Sequence, residues 1–194
     1  MKFIGFYNYT VILTYMSLAS SLCGMKFAHS GRFGLAICCL IISGVCDMFD
    51  GVVARTKKNR TADQKNFGIQ LDSLCDVVCF GVFPAAYLYF LGIDGYVGIA
   101  ILMFYVLCAV IRLAFFNVLE AKRQQTEDGC TKFYRGLPVT SAAMIFPLTY
   151  IVDLFAPVEV MNVVYHVVPV LVGFLFVADI KIPKLDVSKL FKKK

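Results

Sequence analysis

Charge is what this 194-residue sequence has least of: Asp, Glu, Lys and Arg make up 16% of it, against 59% hydrophobic residues. That shortage excludes a water-soluble domain of this length, whose surface would need more polar groups. No charged side chain falls within residues 3–25, 33–46, 77–93, 95–111, 136–152 or 160–178. A hydrocarbon core of about 30 Å asks for about 20 mainly apolar residues per helix. The first and last runs meet that length unaided, and the four between reach it by including flanking charged residues. The chain therefore reads as all-α, an integral membrane bundle of six transmembrane helices. Residues 3–25 follow a lone Lys2, as a secretory signal would, but the run is long enough to span and five more follow, so it counts as the first helix.

Other absences narrow the reading further. There is no internal repeat, low-complexity tract or linker, so residues 1–194 form a single membrane domain with a basic tail from about 180. Outside the loops there is no basic stripe with interleaved aromatics, so nucleic acid is not an expected partner. If the helices end near residues 26, 55, 92, 118, 155 and 179, all of the 19 basic residues except Lys26 and Arg32 fall on one side. The positive-inside rule puts that side, with both termini and the two long loops, in the cytoplasm, which for a bacterial cell means the inner membrane. The net charge of +6 then serves topology and contact with anionic headgroups. Of the eight cysteines, seven lie in apolar helix and Cys130 in a loop, a poor arrangement for disulfides. Cys75 and Cys79, one turn apart, read as small polarizable packing residues more readily than as soft-metal ligands. His29 and His166 lie away from the acidic groups and take no role.

Against this scarcity, four aspartates crowd the edges of two apolar runs. Asp47, Asp50 and Ala54 are spaced i, i+3, i+7 on the second helix; Gly68, Asp72 and Asp76 are spaced i, i+4, i+8 on the third. The second helix descends to the cytoplasm and the third returns from it, so both pairs lie at one depth on adjacent antiparallel helices. Facing carboxylates repel unless protons, a cation such as Arg55 or Arg112, or divalent ions neutralise them. All-oxygen ligation without His or Cys on the same face selects Mg²⁺, Mn²⁺ or Ca²⁺ over zinc. Two carboxylate pairs could hold two ions about 3.5–4 Å apart, the arrangement that clamps a phosphoryl displacement. A salt-bridge network that only ties helices together is the alternative, but ionisable groups inside a membrane default to function. Gly51 and Ala54 leave the helix surface open to a ligand or to a neighbouring helix, and the planar fork of Arg55 suits phosphate.

The run Asp47-x₂-Asp50-Gly51-x₂-Ala54-Arg55, then Gly68-x₃-Asp72-x₃-Asp76, resembles the signature of the CDP-alcohol phosphotransferase family. Members transfer a phosphatidyl-type group from a CDP-linked lipid to an alcohol and release CMP. One departure stands out: the family usually has eight residues between the Arg and the second Gly, whereas residues 56–67 make twelve. The extra residues, within 57–60, lengthen the cytoplasmic turn without disturbing either helix face. FGIQLDSLCDVVCFGVFPA (67–85), IRLAFFN (111–117) and FYRGLPVTSAA (133–143) are similar to the phosphatidylserine synthase branch.

That resemblance implies CDP-diacylglycerol and L-serine as substrates, membrane lipids as surroundings, a homodimer, and Mg²⁺ or Mn²⁺, two ions, as cofactor. It implies that Asp47, Asp50 and Asp72 hold metal, with Asp76 bordering the second ion and acting as catalytic base on serine's hydroxyl. Gly51, Ala54, Arg55 and Gly68 would line the site for the cytidine diphosphate. Arg112 and Arg135, cations near cytoplasmic helix ends, are candidates for serine's carboxylate or a lipid phosphate, against snorkelling or pairing with Glu120 or an aspartate. Two other readings stay open: the same chemistry with glycerol 3-phosphate or inositol phosphate as acceptor, and a divalent-cation carrier.

Overall fold

The structure is a computed structural model that describes residues 5–7, 9–57, 60–125 and 133–183. A 3₁₀ turn at Tyr9–Val11 leads into α1 (Ile12–His29), and α2 (Phe33–Thr56) returns beside it. The third span runs from Ala62 to Phe90 in three joined pieces: α3 (Ala62–Asp76), a π-helical stretch (Val77–Val82) and α4 (Phe83–Phe90). Then come α5 (Tyr96–Gln125), α6 (Ala142–Asp153), entered through a 3₁₀ turn at Val139–Ser141, and α7 (Val158–Val177). Five of these segments are long and apolar enough to cross a bilayer, and the expected fifth span is a shorter apolar helix, Val139–Asp153. Pro138 is the N-cap of its first turn, in extended conformation. The chain is a helical membrane bundle, as its hydropathy required.

Helix ends depart from charge-free runs for a simple reason. Charge marks where hydrocarbon stops, whereas Ala, Lys, Glu, Gln and Arg all favour continuing a helix. So α5 runs on through Glu120 and Lys122 to Gln125.

One departure from a purely helical chain lies beyond α5 and α7. Phe133–Arg135 (β1) pairs antiparallel with Lys181–Pro183 (β2), with Tyr134 opposite Ile182. Gly136 then turns the chain at φ +75, donating its N–H to Ile180 O at 2.8 Å. A Cβ there would lie 2.8 Å from Phe176 O, so both the left-handed backbone and the close approach call for glycine. The first residues of the expected surface tail are thus bonded back onto the bundle.

Helix α1 joins its neighbours through a stripe of small residues, Thr10, Thr14, Ser17, Ser21, Gly24 and Ala28, spaced alternately four and three apart and all buried. Lipid gives apolar side chains no reason to leave it, so membrane helices associate through close packing and interhelical hydrogen bonds. Ser43 of α2 supplies them: its hydroxyl meets Ser17 Oγ at 2.7 Å and Ser21 Oγ at 2.8 Å. Further along the stripe the Phe83 ring fills the space over Gly24, where a Cβ would fall 2.2 Å from Cζ.

Between α3 and α4 the third span passes through the π-helical stretch, and the sequence places Pro84 in the first turn of α4. Proline has no N–H for the carbonyl four residues back, that of Phe80. Tyr105 of α5, fully buried, replaces the missing donor: its hydroxyl donates to Phe80 O at 2.6 Å. The Tyr105 ring also packs against Phe146 and Phe176. Tyr105→Phe keeps those ring contacts and strands a buried carbonyl, so it should destabilise the fold by about 1–3 kcal/mol. Thermal unfolding in detergent would read the loss; an unchanged midpoint would mean that the carbonyl is satisfied otherwise.

Candidate active site

The turn between α2 and α3 places the site at that end of the bundle. Thr61 is the N-cap of α3, its Oγ1 accepting the Gln64 N–H at 3.2 Å, and Asp63 sits in the first turn, where the helix dipole favours an anion. With α3 started there, Asp72 and Asp76 fall on the face turned to Asp47 and Asp50. The carboxyl of Asp50 meets that of Asp72, and one helical turn further from the turn Asp47 meets Asp76. The expected juxtaposition of two carboxylate pairs on antiparallel helices is what the structure contains.

Asp47, Asp50 and Asp72 each present an oxygen, and these three atoms lie within 4.8 Å of one another. Asp72 Oδ1 is buried with no hydrogen-bond partner, a costly position for a carboxylate oxygen unless a cation meets it. The donors are all carboxylate oxygens, so the group fits a hard divalent ion. The described residues thus hold an acidic cluster able to bind a metal. Among the described residues no cysteine joins it: Cys75 and Cys79 are buried, and Cys79 Sγ accepts from Ser17 Oγ at 3.5 Å.

A cavity of about 470 Å³ opens beside this cluster. Its walls include Asp50, Gly51 and Ala54 from α2, Gly68 and Asp72 from α3, and Glu120 from α5. Small residues at 51, 54 and 68 keep the helix backbones at the cavity surface. Asp47 and Asp76 are not in the cavity wall; they stand one turn deeper, and Asp76 is 9% exposed.

Several residues of the site escaped the sequence reading. Thr10, Val11 and Thr14 form the N-terminal wall of the cavity, and Thr14 Oγ1 donates to Asp50 Oδ2 at 3.0 Å. That hydroxyl holds Asp50 in place, a supporting contact of the kind whose loss costs 10–100-fold in metal affinity. Thr14→Val should therefore raise the Mn²⁺ concentration needed for half-maximal binding by about that factor. Titration of the purified protein with Mn²⁺ would check it, and an unshifted curve would remove Thr14 from the site. The signal was present in the α1 stripe, whose spacing continues through Thr14, but spacing alone does not say which partner faces it. Ser73 Oγ donates to Asn117 Oδ1 at 2.7 Å, and Asn117 Nδ2 donates to Gln70 Oε1 at 3.3 Å, tying α3 to α5 behind the aspartates. From the longer turn, Lys57 and Arg60 reach the cavity wall, together with Lys65 of α3.

Of the arginine candidates outside the signature, Arg112 stands apart from the cluster. Arg112 is buried, its Nε donating to Leu137 O at 3.3 Å, and it lines a separate cavity of about 290 Å³ with Phe176 and Asp179. Arg135 lies in β1 opposite Lys181. The side chains of Arg55 and Arg135 lie outside the described residues.

Residues 7–177 match the family model described as CDP-alcohol phosphatidyltransferase. The chain is similar to the CDP-diacylglycerol–serine O-phosphatidyltransferase of Saccharomyces cerevisiae, at 39% identity over 58% of this chain and 40% of that relative. It is 28% identical to the archaetidylserine synthase of Methanothermobacter thermautotrophicus over 95% of this chain and 73% of the relative. It is 32% identical to the CDP-diacylglycerol–serine O-phosphatidyltransferase of Helicobacter pylori strain J99 over 76% of this chain and 59% of the relative. The chain thus spans less than two thirds of the yeast and Helicobacter proteins.

Proposed function

The chain belongs to the CDP-alcohol phosphatidyltransferase family, and we propose that it is a phosphatidylserine synthase, transferring the phosphatidyl group of CDP-diacylglycerol to L-serine with release of CMP. The observation that carries this reading is that both halves of the signature face one cavity: Asp50, Gly51 and Ala54 from α2, and Gly68 and Asp72 from α3.

Asp47, Asp50 and Asp72 hold the metal, with Asp76 bordering a second ion. Mg²⁺ or Mn²⁺ held there would supply positive charge against the negative charge that develops as CMP departs. The protein does the rest. Gly51, Ala54, Arg55 and Gly68 admit and line the cytidine diphosphate, while the lipid tails remain in the bilayer. Serine's hydroxyl is a weak nucleophile at neutral pH and needs a positioned base. Asp76 takes its proton as the serine oxygen bonds to the phosphatidyl phosphorus and the bond from that phosphorus to the CMP oxygen breaks. The basic loops support a site on the cytoplasmic side of a cell inner membrane, and the family resemblance supports a homodimer.

Purified protein in detergent, given CDP-diacylglycerol, Mn²⁺ and serine, should release CMP and form a serine phospholipid. Glycerol 3-phosphate and inositol phosphate run in parallel. CMP release with a phosphorylated alcohol alone would keep the chemistry and overturn the acceptor. Release with none of them would overturn the enzyme reading, and metal uptake into vesicles would then test a carrier.

A further inference from the structure

Arg60 belongs to the turn that is longer than the family spacing, and no motif assigns it a role. Its guanidinium is held between the two helices of the site. Nη1 donates to Ala54 O at 3.2 Å, near the end of α2, and Nη2 to Gln64 O at 3.4 Å, in the first turn of α3. The fork lies against Gly68, where a Cβ would come within 2.7 Å of Nη2. Arg60 Nε is buried with no hydrogen-bond partner. A guanidinium has five N–H donors, and these two long bonds to neutral carbonyls leave most of its charge-assisted capacity unspent. Leaving a cationic donor buried and unsatisfied is costly.

The rest of the cavity gives that unspent capacity a direction. Its wall carries both charges: Asp50, Asp72 and Glu120 are acidic, and Lys57 and Arg60 of the turn and Lys65 in the first turn of α3 are basic. A ligand held by metal at the acidic residues still carries phosphate oxygens that the metal does not reach. Those oxygens make short, strong bonds to a guanidinium.

We propose that Arg60, with Lys57 and Lys65 beside it, binds the nucleoside-diphosphate end of the CDP-lipid, so that the lengthened turn is a substrate-recognition element. This rests on the reading of the site as one for a CDP-lipid. The competing role is structural, a cap on the carbonyl end of α2.

Arg60→Gln and Arg60→Lys separate the two. As a substrate contact, Arg60→Gln raises KM for CDP-diacylglycerol at least about tenfold and leaves KM for serine and the unfolding midpoint as in the parent, with Arg60→Lys between them. Soluble CDP with Mg²⁺ should stabilise the parent against heat, and Arg60→Gln should lose most of that shift. A lower midpoint with unaltered KM for CDP-diacylglycerol and an unaltered CDP shift would make Arg60 a cap and overturn the proposal. If the parent released no CMP with any alcohol, the synthase reading would fall. The CDP shift would then still decide on Arg60: its loss in Arg60→Gln supports the contact, whereas equal shifts or no shift in the parent overturn it.

Discussion

Asp76→Asn is expected to lower CMP release at saturating serine by about 10²–10⁴-fold, the contribution of a positioned general base. Asparagine keeps the shape of the side chain and its packing on α3 but cannot accept serine's proton. The residue stands immediately before the π-helical stretch, buried and against Asp47. The variant should fold, because removing one negative charge from a cluster of four relieves repulsion. Turnover with and without excess Mn²⁺, together with the thermal midpoint, checks this. Recovery of activity at high Mn²⁺ would instead make Asp76 a holder of the ion, and undiminished activity would remove it from the chemistry.

The second large effect is the exchange of stability between metal-bound and metal-free protein. Three carboxylate oxygens within 4.8 Å of one another repel by about 4 kcal/mol per ionised pair at an effective dielectric of about 20. A divalent ion turns that repulsion into attraction. At about 100 times its dissociation constant, Mn²⁺ should stabilise the fold by about 2.7 kcal/mol, a midpoint shift of about 5–10 °C for a chain of this size. CMP release should fall to background in chelator. Asp72→Asn should reverse the order: more heat-stable than the parent in chelator, because two like-charge contacts are lost, and less stable in Mn²⁺, because a ligand is lost. Melting curves of both proteins with EDTA and with Mn²⁺ test this, and an Asp72→Asn protein less stable in both would show that the carboxylate is structural.

What could be read in advance was local. Membrane class follows from runs of residues without charge, and the carboxylate faces follow from spacings of three and four on a helix, since neighbours on one helix are set by its geometry. The signature spanning Asp47 to Asp76 is of this kind, which is why its residues converge where expected. The turn of 56–67 shows the opposite case. Its extra length was plain, but the place of Arg60 was not, because it depends on where Ala54 and Gly68 bring their backbones.

The sequence by itself therefore determined that the chain lies in a membrane, the approximate course of five of its spans, and that four aspartates share two helix faces. The tertiary structure alone decided that Thr14 holds Asp50, that Tyr105 satisfies the carbonyl freed by Pro84, that Arg60 lines the cavity, and that Arg112 stands apart from it. Each of these joins residues on different elements. Periodicity along one helix says which way a side chain faces, whereas the group it meets depends on how separate helices pack, through short-range contacts that no single segment encodes.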